Sequence, residues 1–315
     1  MKKIVLDLYG GDNGVEVMLP GVVEALKNVP DLEIVLAGDK EELSTLLAGY
    51  EYGAERISII HAPNVLTNHD NPTLAVHGDN GYTVSAAFDY YVSHEDADNL
   101  ISVGSTGAVF VSSLVKLGLS DGVVKPVLGT LLPYSEKGRL CLLDCGANLE
   151  PTAEDMVLFA RLGCDYMKTA FGLEQPATAL LSVGKEEGKG TEKLKSAFAA
   201  LKESGLNFKG NIEPEDIFTG KYDVVVCDGF TGNMILKNTE ASGRMLIERL
   251  KDAAGDDACL IEELADKTGL FYRFNDYGGA MILGVKKPVI KAHGCANADT
   301  IKNCIYQAIA GKGNC

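Results

Sequence analysis

Residues 1–37, MKKIVLDLYGGDNGVEVMLPGVVEALKNVPDLEIVLA, contain the pattern that decides the fold. Residues 4–8 form a short apolar run that ends in a glycine-rich turn, which predicts a first β-strand. Apolar residues at helical spacing follow over residues 19–27, and residues 33–37 form a second short apolar run. This order is typical of two parallel strands joined by a helix that covers the sheet.

The same alternation continues along the rest of the chain. Further strands are predicted at residues 57–61, 99–103, 139–143, 178–183, 222–227 and 289–292, and further helices at residues 152–167, 191–204 and 238–250. Nearly continuous apolar strands are buried on both faces, so we predict an α/β fold with a mainly parallel sheet. Because no linker-like composition or internal repeat interrupts residues 1–315, we expect a single unit.

The chain is acidic, with 29 lysine and arginine residues against 44 aspartate and glutamate residues and a formal net charge of −15. Such a surface repels nucleic acid and anionic lipid, so an anionic substrate must be held by local donors. The eight cysteines are scattered without a CxxC pair or a Cys/His cluster. This usage predicts reduced thiols, no metal and a cytoplasmic location. No apolar stretch reaches membrane-spanning length.

Four glycine-rich polar segments follow predicted strands. They are residues 7–12 (DLYGGD), 102–107 (SVGSTG), 144–148 (DCGAN) and 227–233 (CDGFTGN). Ligands of such sheets bind at the carboxyl ends of the strands, and glycine lets several backbone N–H groups approach one anion. We therefore expect the ligand site at these segments.

The segment Gly104-Ser105-Thr106-Gly107 is a candidate phosphate cradle. Its two hydroxyls add donors, and a helix predicted to begin near Ala108 directs its N-terminus at the same point. The alternative is a tight strand-to-helix turn in which Ser105 and Thr106 cap the helix.

A second candidate cradle lies at residues 228–233, and Lys237 follows Asn233 at a spacing that places both on one helix face. Asn233 is expected to hold a carbonyl or phosphate oxygen, and Lys237 to offset its charge. The alternative has Asn233 capping the helix and Lys237 solvated at the surface.

Three further side chains are candidates for the chemistry. Lys189 stands between two glycines and can reach an anion, or is only a solvated charge. His293 follows a predicted strand and is a candidate acid, base or oxyanion donor, against the alternative of a structural histidine. Cys295 is a candidate acyl-thioester nucleophile, or a small residue at a tight turn. The chain lacks the GxSxG, GxGxxG and GxxxxGK[ST] motifs, which argues against hydrolase triads, nicotinamide enzymes and nucleotide hydrolases.

Taken in order, the segments are more specific than any one of them. The chain contains DLYGGDNG, GSTGA, DCGANLEP, LLSVGKEEGKG, GNIEPEDIF, DVVVCDGFTGN, YGGAMILGV and VIKAHGCAN. This series resembles the bacterial PlsX family from the first strand to the last helix. Members of that family move an acyl group from acyl carrier protein to phosphate, which gives acyl phosphate for phospholipid synthesis.

The resemblance implies a three-layer α/β/α fold like that of isocitrate and isopropylmalate dehydrogenases, a homodimer, and no metal or organic cofactor. The positions that match family motifs are Asp7, Gly10, Gly11, Asp12, Asn148, Lys189, Asp228, Asn233, Lys237 and His293. We predict catalytic roles for Lys189, Asn233 and His293. We predict substrate-binding roles for Asp7, Gly10, Gly11, Asp12, Gly104, Ser105, Thr106, Gly107, Asn148, Asp228 and Lys237.

Three segments depart from the family pattern. Residues 77–84 lack the family's basic stretch and paired serines, and Ser105 replaces the asparagine of a loop that usually reads GNTGA. Residues 250–274 are short and acidic, whereas the family has a longer, more basic and apolar helical region associated with membrane or carrier contact. These differences argue against membrane attachment and leave the acyl donor open.

The predicted mechanism is direct transfer without a covalent enzyme intermediate. Phosphate, held by loop N–H groups, Lys189 and His293, attacks the thioester of acyl carrier protein, while Asn233 and residues 104–107 stabilise the oxyanion. Two alternatives stay open. One is a transferase that forms acetyl or short-acyl phosphate from a coenzyme A thioester or through Cys295. The other is a non-catalytic relative that binds an acyl or phosphorylated metabolite.

Overall fold

The computed structural model describes residues 2–77, 81–135, 138–268 and 278–310. The chain divides into two compact units, of which the first comprises Met1–Pro126 and Gly278–Asn314 and the second is built from Val127–Tyr277. The expectation of a single acyltransferase unit over residues 1–315 stays a prediction. Parts of the departing segments at residues 77–84 and 250–274 lie outside the described residues.

Eleven strands and nine α-helices lie within the described residues. The strands are β1 (Lys2–Asp7), β2 (Leu32–Gly38), β3 (Ile57–His61), β4 (Asn99–Ser102), β5 (Val127–Pro133), β6 (Arg139–Leu143), β7 (Thr178–Leu181), β8 (Phe208–Ile212), β9 (Val224–Val226), β10 (Ala280–Leu283) and β11 (Val289–Lys291). The helices are α1 (Val15–Asn28), α2 (Lys40–Leu47), α3 (Thr83–Ser93), α4 (Thr106–Ser112), α5 (Ala153–Phe171), α6 (Glu192–Glu203), α7 (Gly229–Ala254), α8 (Ala258–Thr268) and α9 (Ala298–Ala310).

The first unit is built on strands in the order β3-β2-β1-β4-β11-β10. All neighbouring pairs are parallel except β10 and β11. Ile4 and Leu6 of β1 belong to a buried cluster with residues of α1 and α9. Val5 lies between them and is also buried; strand side chains alternate, so it faces the side on which α3 packs. The parallel strands therefore end at one edge, and helices cover both faces.

The second unit has strands in the order β5-β6-β9-β7-β8, in which only the β5–β6 pair is antiparallel. Helix α5 packs against β6 and β9. It begins in a capping box formed by Thr152 and Asp155, and it ends at Gly172 in the left-handed conformation with φ of +70°. Gly163 allows α5 to lie close to β6, because a Cβ at this position would lie 2.3 Å from Leu143 Cδ1.

The predicted α/β class with a mainly parallel sheet is confirmed, and each predicted strand has a counterpart. Strands β5, β8 and β10 were missed. Residues 106–107 and 229–233 were expected in loops, but they lie in the first turns of α4 and α7. No helix in the described part of the chain is long and apolar enough to cross a membrane.

Candidate active site

In the first unit, the loops after β1, β4 and β11 lie at one edge of the sheet, because these strands are parallel neighbours. The loop after β1 is tied to the loop after β11 by the backbone N–H of Asp12, which donates to the carbonyl of Gly294 at 2.7 Å. The side chain of Asn13 donates to the carbonyls of Cys295 and Ala296 at 3.1 and 2.9 Å. The predicted residues of this unit are therefore brought together.

Gly10 shows why these loops need glycine. Its φ is +81°, and a Cβ there would lie 2.5 Å from the carbonyl oxygen of Leu66 and 3.3 Å from the Cα of Gly104. A side chain would therefore be strained and would separate the loops after β1 and β4. Gly11 is restricted in a similar way, since its Cβ would lie 2.7 Å from the carbonyl oxygen of Gly294.

Asp7 ends β1, is fully buried, and organises the next loop with its carboxylate. Its Oδ2 accepts from Ser102 Oγ at 2.7 Å, and its Oδ1 accepts from the N–H of Tyr9 at 3.3 Å. Ser102 Oγ in turn accepts from the N–H of Gly104 at 3.1 Å. Burial raises the pKa of Asp7 to about 6, although hydrogen bonds from Ser102 and Thr83 oppose the rise. This geometry supports a positioning role rather than direct contact with a substrate.

The segment of residues 104–107 crosses from β4 into α4. Ser105 occupies the N-cap position, but within the described chain its side chain makes no capping hydrogen bond. The interpretation that Ser105 caps the helix through its hydroxyl is therefore wrong. Thr106 is exposed, and Gly107 packs closely because a Cβ there would lie 2.8 Å from Cγ of Pro72. The cradle interpretation stays a prediction.

His293 follows β11 and is half-buried, whereas Cys295 is exposed. The carbonyl of His293 accepts from the N–H of Ala296 at 3.1 Å, so this segment is a tight turn. Helix α9 begins only at Ala298, and Asn297 caps it by accepting from the N–H of Thr300 at 2.9 Å. Cys295 therefore precedes the cap instead of lying in the first helical turn. The roles of His293 and Cys295 stay predictions.

In the second unit, the loop after β6 contains a buried carboxylate that the site prediction did not include. Asp144 Oδ1 accepts from the N–H groups of Gly146 and Ala147 at 3.1 and 3.0 Å. Its Oδ2 accepts from the N–H and the side-chain Nδ2 of Asn148 at 2.6 and 2.7 Å. Burial raises the pKa of Asp144, and these hydrogen bonds oppose the rise. The sequence analysis expected the N–H groups of this loop to bind a ligand anion. In the structure, those of residues 146–148 bind the carboxylate of Asp144 instead.

Asp228 likewise uses its carboxylate inside the protein. It is the N-cap of α7, where Oδ1 accepts from the N–H of Thr231 at 2.8 Å and Oδ2 accepts from Thr231 Oγ1 at 2.7 Å. Asn233 lies within the helix, so the interpretation that Asn233 caps α7 is wrong. Asn233 lies beside the loop after β6 instead, since a Cβ on Gly146 would lie 3.6 Å from the Cβ of Asn233.

The loop after β6 and the first turn of α7 are joined directly. The N–H of Gly229 donates to the carbonyl of Asn148 at 2.8 Å. A Cβ on Gly232 would lie 1.9 Å from the carbonyl oxygen of Asp144, so only glycine fits there. The predicted residues Asn148, Asp228 and Asn233 are therefore brought together at adjoining strand ends.

Lys237 projects from α7, is largely exposed, and pairs with the buried Glu240 at 3.2 Å between Nζ and Oε2. The exposed ammonium group agrees with the alternative of a surface lysine, although it pairs with a carboxylate of its own helix, and the substrate-binding role of Lys237 stays a prediction. A substrate anion at Lys237 would compete with Glu240.

Lys189 is exposed in the loop after β7, and its N–H donates to the carbonyl of Glu186 at 3.0 Å. Its neighbours Lys185 and Lys193 pair with carboxylates, of Asp216 at 3.0 Å and of Glu150 at 3.6 Å. Among the described residues, no ion pair involves the ammonium group of Lys189. Of these three lysines, it is the one whose charge is left for a ligand.

Among the residues that the structure describes, one group of carboxylates has the spacing of metal ligands. Oxygens of Glu213, Glu215 and Asp216 lie within 4.8 Å of one another. Lys185 Nζ already lies within 4.0 Å of all three side chains. The group therefore neutralises a lysine, and it lies outside the loops predicted to bind substrate.

The missed residue Asp144 did leave a signal in the sequence. Asp7, Asp144 and Asp228 all stand where an apolar run ends and glycine follows within three residues. Repetition of this pattern at three strand ends indicates carboxylates that satisfy the N–H groups of the following loop.

The fold resembles that of solved phosphotransacetylases. The EutD phosphotransacetylase from Staphylococcus aureus superposes with a TM-score of 0.64 at 14% identity, over 99% of this chain and 94% of that chain. A 4-hydroxythreonine-4-phosphate dehydrogenase from Klebsiella pneumoniae superposes with a TM-score of 0.58 at 12% identity, over 99% of this chain and 100% of that chain. These likenesses confirm the dehydrogenase-like α/β fold.

Sequence comparison defines the family. The fatty acid synthesis protein family matches residues 2–313. The phosphate acyltransferase of Clostridium novyi is 36% identical over 98% of this chain and 94% of its own length. That of Thermoanaerobacter pseudethanolicus is 38% identical over 97% of this chain and 92% of its own. The chain therefore belongs to the PlsX phosphate acyltransferase family, as its motifs predict.

Proposed function

We propose that this chain transfers an acyl group from the thioester of acyl carrier protein to inorganic phosphate, forming acyl phosphate for phospholipid synthesis. The observation that carries this proposal is the match to curated phosphate acyltransferases over nearly the whole chain. The described loops support it, because glycine-rich segments meet at strand ends in both units, which is where α/β proteins bind ligands.

The chemistry needs positioning more than activation. An oxygen of phosphate attacks the thioester carbonyl carbon, and the carbonyl oxygen becomes an oxyanion. The oxyanion then collapses, the carbon–sulfur bond breaks, and the electron pair leaves with the carrier thiolate. Phosphate is already anionic at neutral pH, so no covalent enzyme intermediate is required.

Charge considerations favour Lys189 as the group that offsets phosphate. The N–H groups after β6 bind Asp144, and the N-terminus of α7 is capped by Asp228, so internal carboxylates already occupy these donors. The ammonium of Lys189 is exposed and stands between glycines. In the same proposal, Asn233 donates to the oxyanion. We also propose, from the sequence, that His293 helps to hold phosphate and that residues 104–107 help to stabilise the oxyanion.

In this proposal assembly follows the family, whereas the short, acidic stretch of residues 250–274 argues against the family's membrane contact. The protein acts as a homodimer in the cytoplasm, requires no metal or organic cofactor, and meets its carrier partner without attachment to a membrane. Each of these statements is open to direct measurement by sedimentation, fractionation and metal analysis.

The test is an assay of purified protein with inorganic phosphate and one acyl thioester, either of acyl carrier protein or of coenzyme A. Thiol release and hydroxylamine-trapped acyl phosphate are followed together. We expect both products to depend on phosphate and to form from acyl carrier protein. Activity with coenzyme A thioesters alone would overturn the proposed donor. Absence of phosphate-dependent thiol release with every donor would overturn the transferase function itself.

A further inference from the structure

Asp144 is the most connected polar side chain of the second unit's strand-end loops. It is fully buried, and its two oxygens accept from three consecutive backbone N–H groups and from one side-chain amide. The N–H of Leu128 in β5 also approaches Oδ1 at 3.4 Å. A curled loop with its N–H groups directed inward is an anion-binding nest, and this nest is filled by the residue that precedes it.

The nest has consequences for two motifs at once. Asp144 Oδ2 accepts from Nδ2 of Asn148 and thereby fixes that side-chain amide, and the carbonyl of Asn148 accepts from the N–H of Gly229 at the start of α7. The backbone carbonyl of Asp144 is covered by Gly232, and Gly146 packs against Asn233. A change in the loop after β6 therefore moves Asn148 and Asn233 together.

We propose that Asp144 is a positioning residue for acyl transfer, which holds Asn148 and Asn233 in one arrangement by binding the N–H groups of residues 146–148. This inference rests on the proposed function for its kinetic consequence. It assigns the DCGAN loop to internal organisation of the site rather than to phosphate binding. Phosphate in this site contacts side chains, not the backbone of residues 146–148.

Position 144 requires a carboxylate, because the surrounding groups are all hydrogen-bond donors and a carboxylate has acceptor atoms only. In the isosteric variant Asp144→Asn, one oxygen is replaced by an NH₂ group that faces N–H donors, so at least two hydrogen bonds are lost. Loop displacement of about 1 Å in an active site costs roughly 10²-fold in rate. We expect Asp144→Asn to lower kcat/KM by about that factor and to leave the fold intact.

The experiment combines kinetics with amide hydrogen exchange on the full chain. In wild-type protein, the amides of Gly146, Ala147 and Asn148 should exchange slowly, and in Asp144→Asn they should exchange faster. A double-mutant cycle with Asn148→Ala should be non-additive, because both changes remove the same positioned amide. Additive losses would mean that Asp144 does not act through Asn148, which contradicts the proposal.

The matched control is Asp155→Asn, which removes another buried carboxylate of this unit that accepts a backbone N–H, at the start of α5. It should lower the melting temperature without changing kcat/KM. A folded Asp144→Asn variant with wild-type kcat/KM would overturn the inference while leaving the proposed function intact. If Asp144→Asn does not fold, hydrogen exchange on the wild type still tests the inference. Fast exchange of the amides of residues 146–148 would then be enough to overturn it. A wild type inactive with every donor would instead contradict the proposed function, and the exchange measurement would still test the nest.

Discussion

Three aspartates lie at strand ends, and their carboxylates accept hydrogen bonds from groups of the protein itself. They are Asp7, Asp144 and Asp228. Each accepts from a backbone N–H a few residues further on, which lies in a loop for Asp7 and Asp144 and in the first turn of α7 for Asp228, so each stabilises the local backbone conformation. In an acidic protein that must bind phosphate, internal anions at these positions also remove donors from competition. In the proposed function, side chains and the remaining loop N–H groups recognise phosphate.

The titration of Asp7 gives a testable pH dependence. Burial raises its pKa from the ordinary 3.8 to about 6. A carboxyl group with a raised pKa in the folded state stabilises the protein fully below its unfolded pKa, and this contribution is lost as pH rises through about 6. A shift of about 2 pH units corresponds to a loss of about 3 kcal/mol.

Comparison with Asp7→Asn isolates this contribution. Between pH 4 and pH 7.5, the melting temperature of the variant minus that of the wild type should rise, because only the wild type loses the contribution of Asp7 there. The rise should level off above pH 7. A difference that does not vary with pH would show that Asp7 titrates at its ordinary pKa.

Lys189→Ala should raise KM for phosphate by about ten- to hundredfold, the range expected for one charge-assisted hydrogen bond. The melting temperature should not change, because the ammonium group is exposed. Lys193→Ala is the matched control, since that nearby lysine pairs with Glu150 and should not affect KM. KM is measured from initial rates at varied phosphate concentration. Equal KM values in the wild type and both variants would show that Lys189 is only a solvated surface charge.

At the scale of residues, the sequence predicts which segments matter better than what each side chain does. Spacing after apolar runs places Asn148 and Asp228 just after strands, and the structure adds that these two strands are parallel neighbours. Spacing does not reveal that Asp228 is a cap or that Lys237 pairs with Glu240, because both depend on where α7 begins. One carboxylate, Asp144, was missed because most of its partners are backbone N–H groups, which residue type does not reveal.

Among the elements, helix α7 is the clearest case in which packing overrides local propensity. Its first turn, GFTGN, contains two glycines and was predicted as a loop, yet it is helical from Gly229 onward. The reason lies across the interface with the loop after β6, where Gly229 and Gly232 contact backbone atoms of Asn148 and Asp144. No periodicity of apolar residues reports such contacts.

Gly232→Ala tests this explanation. Alanine improves intrinsic helix propensity by about 1 kcal/mol, but its Cβ would lie 1.9 Å from the carbonyl oxygen of Asp144. Overpacking against backbone costs about 3 kcal/mol, so the steric effect should win and the melting temperature should fall. Gly188→Ala is the control, because nothing lies within 4 Å of its Cβ position and its φ is outside the left-handed region. Thermal unfolding followed by circular dichroism should separate the two variants, and equal melting temperatures would contradict the packing argument.

The three missed strands were missed for different reasons. β8, FKGNI, is half-exposed and polar and lies at the end of the second unit's strand order, so it carries little apolar pattern. β5 is apolar and buried, but Gly129 interrupts it and Pro133 ends it, and both residues are typical of turns. β10 is an apolar run of four residues, and periodicity alone does not identify so short a run as a strand.

For the molecule as a whole, exposed apolar side chains favour binding to a membrane, whereas the negative charge opposes it. Leu260 and Leu264 on α8 are about half exposed and offer lipid an apolar surface. Glu262 and Glu263 lie on the same helix, and the chain carries a net charge of −15, which repels anionic headgroups.

We expect repulsion to dominate, so the protein should remain in the supernatant when sedimented with phosphatidylglycerol vesicles at moderate salt. Interfacial helices that bind such vesicles normally carry a basic polar face, which α8 lacks in its described residues. Phosphatidylcholine vesicles serve as the uncharged control. Sedimentation with anionic but not with neutral vesicles would contradict the charge argument.

The chain order of the two units has a consequence for biosynthesis. The second unit is one continuous segment inserted into the first, whose strands β10 and β11 and helix α9 come from beyond Gly278. A ribosome therefore releases all of the second unit before β4 can pair with β11 or α1 can be covered by α9. Nascent chains that stall before that point display the apolar face of α1, with Leu19 and Leu26, and are natural clients of chaperones.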